Sequence, residues 1–114
     1  MRSSEIALPF WSDYCKRIFG EELPADPSVW TNHHYGGLNI KGENIFFANS
    51  SEDPWQWASM LEIQDPTEQA KMQVGYADCD ACGHCSDLHI PTDTQAASLT
   101  QLQAEIADVV ASWI

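Results

Sequence analysis

Two short segments are the parts of this 114-residue chain whose composition favours β-strands. Residues 44–49 form an apolar run bounded by Gly42 and Ser50, and because the run does not alternate we expect a buried, parallel strand. Residues 72–77 alternate apolar with polar or small residues, which predicts a second strand. Two short strands cannot bury both faces of a sheet, so the sequence predicts a piece of a larger α/β structure.

A long amphipathic helix is predicted at the end of the chain, over residues 94–114. Its apolar residues recur at helical spacing and form one stripe, and Thr92 or Asp93 is the expected N-cap. The stripe consists of Leu99, Leu102, Ile106, Val109, Val110 and Trp113.

A second helix is predicted near the beginning, over residues 4–19. Ser4 is the expected N-cap and Gly20 the expected stop, whereas Pro9 is expected to separate or kink the first turn. The prolines and acids of residues 21–27 predict a loop.

The segments that remain are predicted as loops and turns. Residues 30–38, which contain Gly36 and Gly37, are expected to be a loop or turn, and residues 66–71 a short helix or turn. The predicted order is therefore helix, long loop, strand, loop, strand, loop, helix.

The charge of the chain excludes several classes of function. The net charge is −12, from 17 acidic and 5 basic residues, so the chain has no basic stripe to neutralise phosphates. We therefore expect no nucleic-acid partner and no adhesion to an anionic membrane.

No run of about 18 apolar residues is present, which predicts no membrane span. Residues 1–5 lack the apolar segment of a signal peptide.

Asp53 and His84 are the candidate catalytic residues. Asp53 follows the first predicted strand and His84 follows the second. Functional side chains gather at the carboxyl ends of parallel strands, so we expect the two residues to lie side by side. An Asp that accepts a hydrogen bond from His Nδ1 fixes the tautomer of the imidazole, as in a Ser-His-Asp triad. The order Asp, His, final helix is also that of an α/β-hydrolase, although a lone Asp and a lone His in loops are far more often ordinary surface residues.

Four segments of the chain, in order, resemble one family of serine peptidases. They read WSDYC at residues 11–15, NHHYGG at 32–37, NIFFANSSEDPW at 44–55 and GHCSDL at 83–88. The family is the group of prolyl carboxypeptidase, dipeptidyl peptidase II and thymus-specific serine protease. The resemblance extends from about residue 11 to the end of the chain.

The resemblance implies a fold, an activity and three site residues. It implies that residues 1–114 are the C-terminal portion of a single α/β-hydrolase peptidase domain, with two strands of an incomplete sheet and the final helix. Asp53 matches the triad Asp, His84 matches the triad His, and Trp55 matches a Trp of the proline-accepting pocket. A flat aromatic wall suits a proline ring, although a Trp in the hydrophobic core is the alternative for Trp55.

The resemblance also implies the setting of the activity. The expected parent is an exopeptidase whose partners are peptides with proline or a small residue near the cleaved bond. No cofactor is expected, and the parent family is lysosomal, vacuolar or secreted.

The nucleophile of that family is missing from this sequence. The family carries it on a Gly-x-Ser-Tyr-x-Gly elbow, whereas none of the serines of this chain is framed by glycines. We therefore expect the missing upstream part of the same domain to supply the serine, and the chain alone to be inactive. The alternatives are a non-catalytic pseudo-peptidase or interaction relic, and a small Cys/His metal-binding module.

Two further positions depart from the family. Ser50 stands where the family usually has Gly, so the loop backbone is expected to differ there. Residues 56–60 replace a small, Gly-rich segment and are expected to reshape or fill the pocket. Both departures concern substrate preference more than the triad.

A cysteine cluster precedes and follows His84. Cys79, Cys82 and Cys85 lie within seven residues, with His84 and His89 nearby. Thiolates and imidazoles at this spacing suit Zn²⁺, but a second separated pair of ligands is missing. Disulfide pairing is the favoured interpretation, with metal binding and free thiols as alternatives, and no metal ligand is assigned.

Two other residues, Cys15 and Asn49, are candidates for covalent modification. Cys15 matches a family cysteine, and the resemblance implies a bond from it to another segment, inside or outside this chain. Asn49 begins a formal glycosylation sequon, Asn49-Ser50-Ser51, which we expect to be unused because a glycan there would block the site beside Asp53.

Overall fold

The computed structural model describes residues 6–20 and 27–114. The chain divides into two compact units, Met1–Gly37 and Leu38–Ile114. The first unit contains two helices, and the second contains a sheet and the final helix. Short 3-10 helices occur at Gly37–Asn39, Pro54–Ala58 and Ser86–Leu88. No helix among the described residues is long and apolar enough to cross a membrane.

Helix α1 spans Leu8–Phe19 and begins after Ala7. Pro9 lies in the first turn, where a proline costs no helical hydrogen bond, so the predicted kink does not occur. The predicted stop is confirmed, because Gly20 adopts a left-handed φ of 72° and its N–H donates to the Lys16 carbonyl at 2.9 Å. The predicted N-cap, Ser4, lies outside the described residues.

Helix α2 spans Pro27–Tyr35, so the prediction of a loop is wrong for residues 30–35 and for Pro27. Proline is favoured at the first position of a helix, where its fixed φ matches the helical value. Gly36, with φ of 93°, donates its N–H to the Asn32 carbonyl at 2.8 Å and ends the helix. The Gly-Gly pair is thus a helix stop rather than the centre of a loop. Residues 21–26 of the other predicted loop lie outside the described residues.

The sheet consists of two parallel strands in the part of the chain that the structure describes. Strand β1 spans Ile45–Ser50 and strand β2 spans Met72–Ala77, paired from Ile45 with Met72 to Ser50 with Ala77. Both strands and their parallel direction are therefore confirmed. The open sheet and its helix form a fragment of an α/β fold.

Helix α3 spans Ala97–Ser112 and packs against the sheet. Its N-cap is Ala96, so the predicted caps Thr92 and Asp93 are wrong. The reason is a separate turn in which the Gln95 N–H donates to the Thr92 carbonyl at 3.2 Å.

The core lies between β2, the loop that follows it, and α3. Ala77, Cys82, Leu99 and Leu102 are buried together, and Phe46 and Ile106 are among the side chains that pack against them. Of the predicted stripe on α3, Leu99 and Leu102 are thus the buried members, whereas Val110 is exposed. Gly75 fits here because a Cβ atom would lie 2.6 Å from Phe46 Cζ.

Candidate active site

Asp53 and His84 meet at the carboxyl ends of the two strands. We call residues 51–53, after β1, the Asp53 loop, and residues 78–85, after β2, the His84 loop. Asp53 Oδ2 lies 3.0 Å from His84 Nδ1. The predicted juxtaposition is confirmed, and its cause is the parallel pairing of β1 and β2, which ends both strands at the same edge.

The Asp53 carboxylate is held by two hydrogen bonds. Its Oδ1 accepts from the Trp55 backbone N–H at 2.8 Å, which caps the 3-10 helix Pro54–Ala58, and its Oδ2 faces His84. The contact with His84, and then the Trp55 N–H, hold the pKa of Asp53 below its ordinary value of 3.8. An ionised Asp53 accepts from the Nδ1–H of His84 and leaves Nε2 for a reacting group.

The two side chains differ in exposure. The Asp53 side chain is 14% exposed, whereas the His84 side chain is 58% exposed. The carboxylate is therefore largely enclosed by protein, and the imidazole can be reached from outside the unit. This is the arrangement expected of an orienting acid behind a base.

Trp55 lies beside the imidazole rather than in the core. Its ring centroid is 6.4 Å from that of His84, with the planes inclined at 51°. The residue is 64% exposed, so it is not part of the core that the described residues form. The exposed ring and the imidazole form adjacent walls at the strand ends.

Hydrogen bonds from two serines join the end of β1 and the Asp53 loop to the His84 loop. Ser51 Oγ accepts from the Cys79 N–H at 3.0 Å and donates to the Cys79 carbonyl at 3.1 Å. Ser50 Oγ donates to the carbonyl of Gly83, the residue before His84, at 3.4 Å. Sequence reasoning did not assign these hydroxyl contacts, because short polar side chains at a strand end carry no periodic signal.

The segment after Trp55 places a polar side chain inside the unit and a second Trp on its surface, and its effect on a substrate pocket stays a prediction. Gln56 is buried, and its Nε2 donates to the Ser51 carbonyl at 2.8 Å. Trp57 points outward and lines a groove of about 380 Å³. The other lining residues are Leu38, Ser59, Leu61, Glu62 and Gln64.

The cysteine cluster contains a disulfide. Cys79 is bonded to Cys82, while Cys85 and Cys15 are free and half-buried. Two of the thiols needed for a zinc site are thus joined to each other. Residues 6–20 and 27–114 contain no group of three His, Cys, Asp or Glu side chains that could hold a metal ion.

Asn49 is enclosed rather than displayed. It is 4% exposed, and its Nδ2 donates to the Met60 carbonyl at 2.9 Å. The first residue of the sequon is thus occupied within the fold, and that the sequon is unused stays a prediction.

Comparison with known proteins places the chain in a family. The family model described as Serine carboxypeptidase S28 matches residues 1–106. The chain belongs to the serine carboxypeptidase S28 family. It is thus a portion of a serine peptidase, and the resemblance seen in its motifs is confirmed.

Two curated proteins illustrate the relationship. The chain is 36% identical over 88 residues to "Probable serine protease EDA2" of Arabidopsis thaliana, which covers 77% of this chain and 17% of that protein. It is 25% identical over 111 residues to the thymus-specific serine protease of Homo sapiens, covering 95% of this chain and 20% of that protein. This S28 chain therefore spans about a fifth of the length of these relatives. No solved structure matches it.

Proposed function

We propose that residues 1–114 are the C-terminal portion of a single α/β-hydrolase peptidase domain and supply the Asp and His of its catalytic triad. The contact of 3.0 Å between Asp53 Oδ2 and His84 Nδ1 carries the proposal. Its position at the carboxyl ends of adjacent parallel strands is where such a pair operates. The nucleophilic serine comes from an upstream part that this sequence does not contain.

The geometry supports His84 as the general base and then the general acid of the reaction. Nε2 takes the proton of the serine hydroxyl while the serine oxygen attacks the scissile carbonyl. The imidazolium then gives this proton to the leaving amine. Water hydrolyses the acyl-enzyme by the same proton transfers. Asp53 keeps Nδ1 protonated and stabilises the imidazolium, and its lowered pKa keeps it ionised throughout.

Trp55 supports a substrate with proline beside the cleaved bond. The ring is exposed and lies next to His84, so it can contact a substrate residue near the reacting carbonyl. A proline ring offers apolar surface and no N–H, which suits an aromatic wall. We therefore propose an exopeptidase acting on peptides with proline or a small residue near the cleaved bond, in the lysosome, the vacuole or outside the cell.

The exposed surface supports completion by a further part of the domain. The two-stranded sheet has both edges open among the described residues, and isolated sheets of this size are marginal. α1 buries no residue, although Phe10, Trp11 and Ile18 are apolar. The exposed apolar surface and open edges favour a larger domain over a free-standing metal module.

A chimeric enzyme tests the proposal. The upstream four fifths of the thymus-specific serine protease would be joined to this chain, and hydrolysis of prolyl peptides would be measured together with labelling by a fluorophosphonate. We expect His84→Ala and Asp53→Asn to lower kcat by about 10⁴-fold, and His89→Ala to leave it unchanged.

Two results would contradict the proposal. Full activity of the His84→Ala chimera would remove His84 from the triad. Robust turnover by the isolated 114-residue chain would show that the nucleophile lies within it. A chimera that folds but is neither labelled nor active would instead favour the non-catalytic alternative.

A further inference from the structure

The contact between Asp53 and His84 depends on how far apart their loops are held. The two residues lie 31 positions apart in the chain, and the sheet ladder ends at Ser50 and Ala77, before either of them. One further backbone hydrogen bond follows, from the Ser51 N–H to the Ala77 carbonyl at 2.9 Å. Beyond it, side chains must set the spacing of the loops.

Ser51 connects the two loops through two hydrogen bonds of a single hydroxyl group. Its hydroxyl both accepts from the N–H and donates to the carbonyl of Cys79, at 3.0 and 3.1 Å. One side chain thus satisfies both backbone groups of a residue on the His84 loop. It lies two residues before Asp53, so a change in its contacts moves the backbone that carries the carboxylate.

Ser51 is itself fixed from the opposite side. Gln56 Nε2 donates to the Ser51 carbonyl at 2.8 Å, and Gln56 Oε1 accepts from the Tyr76 hydroxyl at 3.0 Å. Gln56 is 7% exposed, so leaving its side-chain amide without these partners is costly. The Asp53 loop is therefore tied to β2 as well as to the His84 loop.

We propose that Ser51 is a positioning residue for the reaction, whose hydroxyl sets the separation of the Asp53 loop and the His84 loop so that the carboxylate meets the imidazole. The effect of Ser51 on the reaction rests on the proposed function, in which Asp53 and His84 belong to the triad. Gln56 supports it by holding the Ser51 carbonyl. Neither residue touches the reacting groups.

Ser98 provides a matched control. Its Oγ donates to the carbonyl of Asp78, next to Cys79, at 2.8 Å. Both serines therefore bind backbone at the start of the His84 loop, and Ala removes one hydroxyl in each case. Ser98 fastens that loop to α3, however, and not to the Asp53 loop.

Nuclear magnetic resonance on the 114-residue chain separates the two roles. The Asp53 carboxyl is titrated through its ¹³C signal, and the proton on His84 Nδ1 is observed through its ¹⁵N coupling. In Ser51→Ala we expect the pKa of Asp53 to rise towards its ordinary value and the Nδ1 proton signal to be lost to exchange. In Ser98→Ala both readouts are expected to stay as in the original chain, and Ser51→Thr, which keeps the hydroxyl, is expected to restore them.

The outcomes distinguish this proposal from the function on which it rests. If the original chain shows neither a lowered Asp53 pKa nor the Nδ1 proton, the pair itself is absent and both proposals fall. If the pair is present and Ser51→Ala leaves it intact, or Ser98→Ala disturbs it equally, only the positioning role of Ser51 is overturned.

Tyr76→Phe keeps the test decisive if Ser51→Ala does not fold. It removes only the hydroxyl that holds Gln56, on a residue that is 48% exposed. We expect a smaller rise in the pKa of Asp53 in the same direction. An unchanged Asp53 titration in Tyr76→Phe would then contradict the proposed support of the loop.

Discussion

The two units of the chain differ in whether their helices bury apolar side chains. Leu38–Ile114 buries a core of Ala77, Cys82, Leu99 and Leu102, whereas α1 contains Phe10, Trp11, Tyr14 and Ile18 and buries none of them. The rings of Phe10, Trp11 and Tyr14 contact one another, with centroids 5.2 to 6.3 Å apart. Helical pattern and burial are therefore separate properties, since a pattern specifies a face but not the surface that covers it.

The comparison predicts that equal truncations have unequal effects in the two units. Leu102→Ala removes a side chain that is 2% exposed and leaves a cavity, so we expect it to lower the free energy of unfolding by about 2–5 kcal/mol. Ile18→Ala, at a residue that is 53% exposed, is expected to change it by less than about 0.5 kcal/mol. Urea unfolding followed by fluorescence measures both free energies. Equal losses would contradict the difference in burial between the two units.

Within the packed unit, the effect of an added methyl group depends on the space available. Gly75→Ala drives a Cβ atom into Phe46 and Leu102, and we expect a loss of about 1–3 kcal/mol. Gly83→Ala is the matched control, because its Cβ would meet no atom within 4 Å. Thermal unfolding of the two variants checks this, and a neutral Gly75→Ala would show that the core is loosely packed.

The candidate active site is expected to contribute a smaller, pH-dependent share of stability. The folded pKa of Asp53 lies below its ordinary value of 3.8, so the carboxylate stabilises the fold above that value. The contribution is lost as the pH falls through the folded pKa. Asp53→Asn should lack this part of the acid dependence, which unfolding curves between about pH 2 and 6 would reveal. Identical curves for the two proteins would contradict the Asp53–His84 contact.

The smallest effect on stability is expected for polar substitutions on α1. Phe10→Ser and Trp11→Ser together should leave the unfolding of Leu38–Ile114 unchanged, because the core does not include them. They should lower the fluorescence of a bound hydrophobic dye, since they remove exposed apolar surface. Destabilisation of the core, or unchanged dye binding, would show that the α1 face is covered in solution.

Much of the site was predictable because its signals are local. An apolar run and an alternating run predict β1 and β2, and the residues after them become neighbours when the two strands are adjacent in a parallel sheet. The helix α2 was not predicted, since Gly36 and Gly37 mark a loop and a helix stop equally well in sequence. The N-cap of α3 was displaced to Ala96 for a similar reason, because Thr92 joins a separate turn.

The family, the two strands and the final helix follow from the amino-acid sequence alone, as do the candidates Asp53, His84 and Trp55. The contacts that hold these side chains in place follow only from the folded structure. The contact of Ser51 with Cys79 spans 28 residues, and that of Gln56 with Tyr76 spans 20. Such contacts depend on strand register and loop geometry, which no periodic pattern encodes. The same is true of the disulfide between Cys79 and Cys82, for which the sequence offered three candidate cysteines and only the fold of the His84 loop selected two.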